Sequence, residues 1–112
     1  MIKAEFKFKP GTNEIALVCI TGHAGQSDLG HDIICAGVSA LTIATINGLE
    51  KYVGTAPKEI VREGYTKFSV DTTNELQSLQ AQALVHSFYL AMLELQERNN
   101  KFIKVKIMEE KI

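Results

Sequence analysis

The first quarter of the chain carries two strand patterns. Apolar and charged residues alternate over residues 2–9, which is the period of a strand with one buried face. The turn sequence Pro10-Gly11-Thr12-Asn13 follows, and residues 15–21 form an apolar segment without alternation. Apolar side chains on both faces are typical of a strand inside a sheet. These segments therefore predict a β-hairpin whose second strand is interior.

Residues 22–32 break this pattern. Their eleven positions hold three glycines, two histidines and two aspartates, a composition typical of a solvent-exposed loop that either serves function or only connects two elements. Asp32 is then predicted to cap a helix that ends near Gly54, with Pro57 beyond it. The buried positions predicted for this helix recur every three or four residues: Ile33, Ile34, Val38, Leu41, Thr45, Leu49 and Tyr52.

The second half of the chain predicts two short strands, a long helix and a final strand. The short strands lie around Ile60 and Val61 and over residues 66–71, the helix over residues 74–98 and the last strand over residues 102–107. The buried stripe predicted for the long helix consists of Leu76, Leu79, Ala83, Leu84, Phe88, Ala91 and Leu95. The order β-β-α-β-β-α-β predicts an α/β fold of the α+β type. It forms a single domain over residues 1–112, with both helices packed on a mostly antiparallel sheet.

Length, charge and cysteine content argue against several classes of protein. A chain of 112 residues is sufficient for one domain. Twelve Lys and Arg against thirteen Asp and Glu leave a net charge of −1, so we expect no direct nucleic-acid partner held mainly by phosphate contacts. The longest apolar run, Ile15 to Ile20, is far shorter than the roughly 20 residues of a membrane span, and no N-terminal signal pattern is found. Two cysteines are too few for a disulfide framework, so we expect a cytoplasmic protein with free thiols.

The candidate chemistry lies between the second strand and the first helix. If Asp32 caps the helix, Cys35 is the third helical residue, where the unpaired N–H groups and the helix dipole favour a thiolate. His23, in the preceding loop, can fold back over the helix start. Such a Cys–His pair performs nucleophilic catalysis: the thiolate attacks a carbonyl and the imidazolium protonates the leaving amine. Ser39 lies four residues after Cys35 on the same helix face, where it either hydrogen-bonds near the thiol or fills space.

Each of these residues also has a purely structural interpretation. Cys35 is equally compatible with a small buried apolar residue, and Cys19, in the middle of the second strand, favours that role more strongly. His23 is then an ordinary loop histidine, Asp32 only a helix cap, and Ser39 a packing residue. These alternatives stay open on residue patterns alone.

The sequence contains two further histidines and one spacing of potential metal ligands. His31 competes with His23 as the base, and His86 is expected at the edge of the apolar stripe of the second helix. The spacing Cys-x3-His-x7-His-x3-Cys, formed by Cys19, His23, His31 and Cys35, contains four potential zinc ligands. We expect neither a metal nor another cofactor, because Cys19 is predicted in the sheet interior and the spacing matches no common zinc motif.

Two segments resemble a known family. Gly22-His23-Ala24, followed by a glycine-containing loop and then by Asp32-Ile33-Ile34-Cys35-Ala36-Gly37-Val38-Ser39-Ala40-Leu41, closely resembles the bacterial ribosomal-processing cysteine protease family, Prp. The similarity extends over the whole chain in length and element order, but its specific part is these two segments. Gly37 stands where many members carry Ala, a conservative change, and the family pattern does not require a histidine at position 31.

The resemblance implies a dimeric α/β protease that removes a short N-terminal extension from a large-subunit ribosomal protein precursor, number twenty-seven. By matching motif positions, Cys35 is the nucleophile and His23 the general base, with Gly22, Asp32 and Ser39 as supporting residues. The family's substrate ends its extension in an aromatic pair, so an apolar groove near Cys35 is expected. The alternative is a non-catalytic, ribosome-associated module that binds a peptide or aids assembly.

The oxyanion of such a reaction needs N–H donors, and the amide of Cys35 at the helix start is a candidate. If Asp32 caps the helix by accepting the amide N–H of Cys35, that donor is no longer available to the oxyanion. Three arrangements avoid this conflict: Asp32 caps Ile34 instead, its carboxylate turns toward His23, or the full set of N–H donors forms only when substrate is bound. We expect Asp32 to face His23 or the loop, because a carboxylate beside Cys35 raises the pKa of the thiol. The glycines of residues 24–30 predict a segment that closes over bound substrate.

Overall fold

The computed structural model describes residues 1–22 and 29–108. Five strands and two helices follow one another in the predicted order, which confirms the α/β fold of the α+β type. The elements are β1 (Ile2–Phe8), β2 (Ile15–Thr21), α1 (Leu29–Asn47), β3 (Glu59–Arg62), β4 (Tyr65–Ser69), α2 (Glu75–Arg98) and β5 (Ile103–Met108).

The strands form one mixed sheet in the order β3-β4-β2-β1-β5. Neighbouring strands are antiparallel except β1 and β5, which run parallel. β1 and β2 form the predicted hairpin, in which the backbone N–H of Lys9 donates to the carbonyl of Glu14 at 2.8 Å. β2 lies inside the sheet, as its apolar sequence predicts, and β3 and β5 are the two edges.

Both helices pack on one face of the sheet, and the core lies between the two layers. Phe6, Val18 and Phe68 stand side by side on neighbouring strands and are fully buried. The ring centroid of Phe6 lies 5.8 Å from that of Phe88 and 4.8 Å from that of Tyr89, both on α2. Burying side chains of this size contributes about 1.5–3 kcal/mol each. Within the described residues, neither helix covers the opposite face of the sheet.

Helix α1 begins four residues earlier than the sequence predicts, since a cap at Asp32 makes Ile33 the first helical residue. Its first residue is Leu29, so Asp32 belongs to the first turn. The prediction that Asp32 caps this helix is therefore wrong. A glycine inside a helix costs only about 1 kcal/mol relative to alanine, and Gly30 is accordingly accommodated within the first turn.

The buried face of α1 also differs from the predicted one. The predicted positions that are buried are Ile34, Val38, Thr45 and Leu49. Ile33, Leu41 and Tyr52 are exposed instead, because apolar residues surround this helix and their spacing alone does not determine which face meets the sheet. Thr42 occupies a buried place and donates its hydroxyl to the carbonyl of Val38 at 2.7 Å, which satisfies the polar group inside the core.

A π-helical segment, Gly48–Val53, continues α1. Gly54 ends it with a φ of +83°, the left-handed conformation that its glycine predicts. The backbone N–H and the hydroxyl of Thr55 both donate to the carbonyl of Leu49, at 2.9 and 3.0 Å. These hydrogen bonds satisfy the carbonyl of Leu49 at the end of the π-helical segment, after which the chain continues to β3.

The segment Asp32–Val53 has the length and composition of a membrane-crossing helix, with 22 residues and a mean hydropathy of 1.5. The search for uninterrupted apolar runs does not detect this segment, because a few polar residues divide it while its mean hydropathy stays high. In the fold, Ile34, Val38 and Leu49 of this segment pack into the core against the sheet. Packing on the sheet accounts for the third of the segment that is buried, whereas Ile33, Ile43 and Tyr52 are exposed.

Helix α2 starts where the sequence predicts, but its buried stripe is rotated. Asn74 caps it by accepting the backbone N–H of Gln77 at 2.9 Å. The fully buried residues are Ala81, Val85, Phe88 and Met92. Leu76 and Leu79, predicted to be buried, are 65% and 66% exposed, and Ala83 is exposed too, whereas Leu84, Ala91 and Leu95 pack partly against the core. Leucines on both sides of this helix obscure its phase, and the small Ala81 marks the side that approaches the sheet.

Candidate active site

A cavity of about 490 Å³ opens between α1 and the β3–β4 hairpin. Most of its lining is apolar, with Ile20 from β2, Val38 and Ile46 from α1, and Val61 from β3. The strand order creates this cavity, because β4 pairs with β2 and so brings the hairpin alongside α1. An apolar concave surface of this size fits one or two large apolar side chains of a ligand.

Three of the predicted site residues line this cavity: Gly22, Cys35 and Ser39. Cys35 and Ser39 are one helical turn apart on α1, as their spacing predicts. Cys35 is half-buried and packs partly against the core, whereas Ser39 is exposed. The expected apolar groove beside Cys35 is therefore present.

The position of Cys35 within α1 differs from the expected one. It is the seventh helical residue, because the helix begins at Leu29. A backbone N–H this far into a helix bonds to the carbonyl four residues earlier. The amide of Cys35 is thus not one of the unpaired N–H groups of the helix start, and the expected oxyanion donor at this atom is not supported.

The pKa of the Cys35 thiol is raised above its ordinary value. Partial burial is the main cause, the negative charge of Asp32 adds to it, and the N-terminal ammonium group opposes it. The expectation that the helix start lowers this pKa is wrong, because Cys35 lies in the second turn of α1, where partial burial and the charge of Asp32 raise it. A thiol in this state is protonated at neutral pH and needs a base before it can attack a carbonyl.

Replacing Asp32 with Asn is expected to lower the pKa of the Cys35 thiol, because the change removes a negative charge that disfavours the thiolate. The pH profile of Cys35 alkylation, followed by mass spectrometry, reports this pKa. The midpoint should move to lower pH in the variant. Glu97→Gln removes the same charge from the exposed side of α2 and should leave the midpoint unchanged. An unchanged or higher midpoint in Asp32→Asn contradicts this account.

Gly22 joins β2 to the segment that leads to α1, and its conformation excludes any side chain. Its φ is +103°, and a Cβ at this position would lie 2.3 Å from the carbonyl oxygen of Met1. Its backbone N–H donates to the carbonyl of Gly64, in the β3–β4 turn, at 3.0 Å. The glycine is therefore required where the chain leaves the sheet beside the cavity.

Several predicted site features lie outside the described residues. His23 and residues 24–28 of the predicted closing segment are among them, and the side chain of His31 is as well. Asp32 is described: it is exposed and is not among the described residues that line the cavity. Its effect on Cys35 is electrostatic.

The two cysteines lie on opposite sides of the sheet. Cys19 pairs with Glu5 and Lys67, on the face that points away from the helices, so its side chain and that of Cys35 cannot bind one metal ion. Cys19 is half-buried, which corrects the prediction of a buried residue in the sheet interior. His86, at the edge of the buried stripe as predicted, lies on α2 with its Nε2 2.7 Å from the carbonyl oxygen of Asn13.

The β3–β4 hairpin also contributes to this site, which the sequence does not predict. Arg62, Glu63 and Tyr65 line the cavity together with α1. The guanidinium carbon of Arg62 lies 5.0 Å from the ring centroid of Tyr65, a cation–π contact. Nothing local in the sequence indicates this proximity, because it depends on which strand β4 joins.

Comparison with known proteins identifies the family to which this chain belongs. The model of the family described as cysteine protease Prp matches residues 1–104. The chain belongs to this family. Relatives named ribosomal processing cysteine protease Prp are 29% identical over 91 residues in Staphylococcus aureus and 30% identical over 84 residues in Bacillus subtilis. These alignments cover 79% of this chain and 82% of the S. aureus protein, and 73% of this chain and 75% of the B. subtilis protein.

Solved structures agree with this assignment. A Streptococcus mutans protein is 31% identical with a TM-score of 0.86, and the match covers 98% of this chain and 99% of that one. The ribosomal processing protease Prp of S. aureus, crystallised with a covalently linked product peptide, is 25% identical with a TM-score of 0.81, over 96% of this chain and all of that one. The protein is therefore a cysteine protease of the Prp family with the family's fold.

Proposed function

We propose that this cysteine protease removes the N-terminal extension of a large-subunit ribosomal protein precursor, number twenty-seven, with Cys35 as nucleophile and His23 as general base. The observation that carries the proposal is the half-buried Cys35 thiol at the edge of an apolar cavity. Relatives named ribosomal processing proteases give the substrate class. We also propose that it acts in the cytoplasm.

The raised pKa of Cys35 supports a mechanism that uses a base. His23 takes the thiol proton, and the thiolate forms a bond to the carbonyl carbon of the scissile peptide. The C–N bond then breaks, the imidazolium protonates the leaving amine, and a thioester remains on Cys35 until water hydrolyses it. Asp32 stabilises the imidazolium by its charge, and Ser39 offers a hydroxyl at the cavity one turn from the thiol.

The cavity supports recognition of an apolar residue next to the cleaved bond. Val38, Ile43 and Val61 supply apolar surface on both sides of it. Glu63 at the hairpin provides a negative charge for basic residues of a ribosomal-protein segment. The S. aureus relative crystallised with a substrate peptide shares this fold, with a TM-score of 0.83 at 20% identity.

The experiment is to incubate the protein with a peptide that spans the extension of the precursor and to identify the products by mass spectrometry. A single cut at the end of the extension supports the proposal. The alternative, a non-catalytic peptide-binding module, requires saturable binding without any cut. That result would favour the peptide-binding module, in which Cys35 is a structural thiol without a catalytic role.

We further propose a homodimer, which the exposed apolar side chains of α2 support. Leu76, Leu79 and Leu90 are more than half exposed and share one side of this helix. In the double variant Leu76→Ser/Leu79→Ser, light scattering is expected to give the mass of one chain at micromolar concentration, whereas the natural protein gives twice that mass. Ile60→Ser, an exposed apolar position on β3, is the control and should remain dimeric. A monomeric natural protein contradicts the proposal.

A further inference from the structure

The sheet face that points away from the helices carries an excess of positive charge, and we call it the open face. Eight residues of the five strands are charged, and seven of them lie on this face by strand alternation and register. Glu5 is the acidic one. The cations are Lys3, Lys7, Arg62, Lys67, Lys104 and Lys106.

The net charge of the whole chain conceals this asymmetry. The open face holds six cations and one anion, a balance of +5, whereas the rest of the sequence holds six cations and twelve anions, a balance of −6. Together they give the net charge of −1 from which we expected no nucleic-acid partner. Because salt largely screens exposed charges separated by more than about 10 Å, a ligand on this face responds mainly to its local charge rather than to the chain average.

The cations stand close together. Lys3 of β1 is directly opposite Lys104 of β5, whereas Lys106, two residues later on the same face, is directly opposite Glu5. Neighbouring strands are about 4.8 Å apart, and successive residues on one face of a strand are about 6.6 Å apart. Like charges directly opposite each other destabilise a sheet. A bound polyanion relieves this repulsion.

We propose that the open face binds the phosphate backbone of RNA. A polynucleotide carries one negative charge per nucleotide in a continuous line, and lysines at spacings of 5–7 Å on a flat, uncovered surface complement such a line. Within the described residues, nothing covers this face: α1 and α2 both pack on the other. We choose RNA because the curated relatives are named ribosomal processing proteases, and ribosomes consist largely of RNA.

The open face is continuous with the cavity. Arg62 belongs to the open face by register and is also among the residues that line the cavity. Its guanidinium lies over the ring of Tyr65, the residue opposite it on β4. RNA on this face would therefore hold the cavity of the protease close to an RNA-associated protein substrate. The binding itself does not depend on Cys35 or on the proposed cleavage, so each can fail without the other.

The test compares two triple variants by fluorescence anisotropy with a labelled oligouridylate of about 20 nucleotides in 50–200 mM salt. Lys3→Ser/Lys104→Ser/Lys106→Ser removes three exposed charges from the open face, and Lys51→Ser/Arg98→Ser/Lys101→Ser removes three exposed charges elsewhere. The first variant should bind at least about tenfold more weakly, and its slope of log K against log salt should fall by about 2. The second should stay within about twofold of the natural protein.

Three results would overturn this proposal: no binding by the natural protein at 50 mM salt, equal losses in the two variants, or displacement of the RNA by polyglutamate as effectively as by unlabelled RNA. Single-stranded DNA of the same length should compete, since the contacts are to phosphate. Cleavage of a short peptide should proceed at the natural rate in the first variant. This readout separates loss of RNA binding from misfolding.

Discussion

Replacing Cys35 with Ala is expected to reduce cleavage of the precursor peptide at least about 10³-fold, because the nucleophile that forms the thioester is removed. Binding of the peptide should survive, since the apolar surface of Val38, Ile43 and Val61 is unchanged. Cleavage is measured by mass spectrometry under single-turnover conditions, and binding by calorimetry. The loss should therefore appear in the rate of the chemical step and not in affinity.

Cys19→Ala is the matched control. It removes the other thiol, which lies across the sheet from the cavity, and should leave cleavage within about twofold of the natural rate. Equal losses of cleavage rate in Cys35→Ala and Cys19→Ala would mean that the substitutions act by destabilising the fold and not by removing the nucleophile. Cleavage that persists in Cys35→Ala at more than a few per cent of the natural rate is incompatible with Cys35 as nucleophile.

Replacing Gly22 with Ala is expected to destabilise the protein by about 3 kcal/mol or more. The added Cβ occupies a left-handed conformation that alanine disfavours, and it collides with the carbonyl oxygen of Met1 at 2.3 Å. Relief requires movement of β1 or loss of the bond from Gly22 to Gly64. Because Gly22 directly precedes His23, cleavage should fall as well. Urea denaturation measures the free energy of unfolding.

Gly11→Ala separates strain from collision. Gly11 also has a positive φ, of +70°, but no atom lies within 4 Å of the position of its Cβ. This variant should cost about 1 kcal/mol from backbone strain alone and should keep its activity. Equal destabilisation by the two substitutions would show that the contact with Met1 contributes nothing.

The sequence predicts the strands well because their signals are local. Alternation over residues 2–9 and the uniformly apolar segment 15–21 give β1 and the interior strand β2 almost to the residue. The order of elements and the start of α2 follow from equally local signals. Helix faces were predicted less well, since Leu76 and Leu79 have the required spacing but lie in solvent while Ala81 is buried.

The site divides in the same way. Its motif residues were recognised from the sequence, and the cavity beside Cys35 was expected. The sequence does not predict that Arg62, Glu63 and Tyr65 line the cavity. Their position follows from the pairing of β4 with β2, which are more than forty residues apart in the sequence. The raised pKa of Cys35 does not follow from the sequence, because it depends on where α1 begins and how far the thiol is buried.

The most direct test of the central claim is to detect the covalent intermediate. The protein is mixed with the precursor peptide, quenched in acid within seconds, and digested so that the peptide containing Cys35 can be identified by mass spectrometry. The account predicts that this peptide gains the mass of the extension as an acyl group, that alkaline hydroxylamine removes it, and that the peptide containing Cys19 is unmodified. Turnover of the precursor without any adduct on Cys35, together with cleavage by Cys35→Ala, would contradict it.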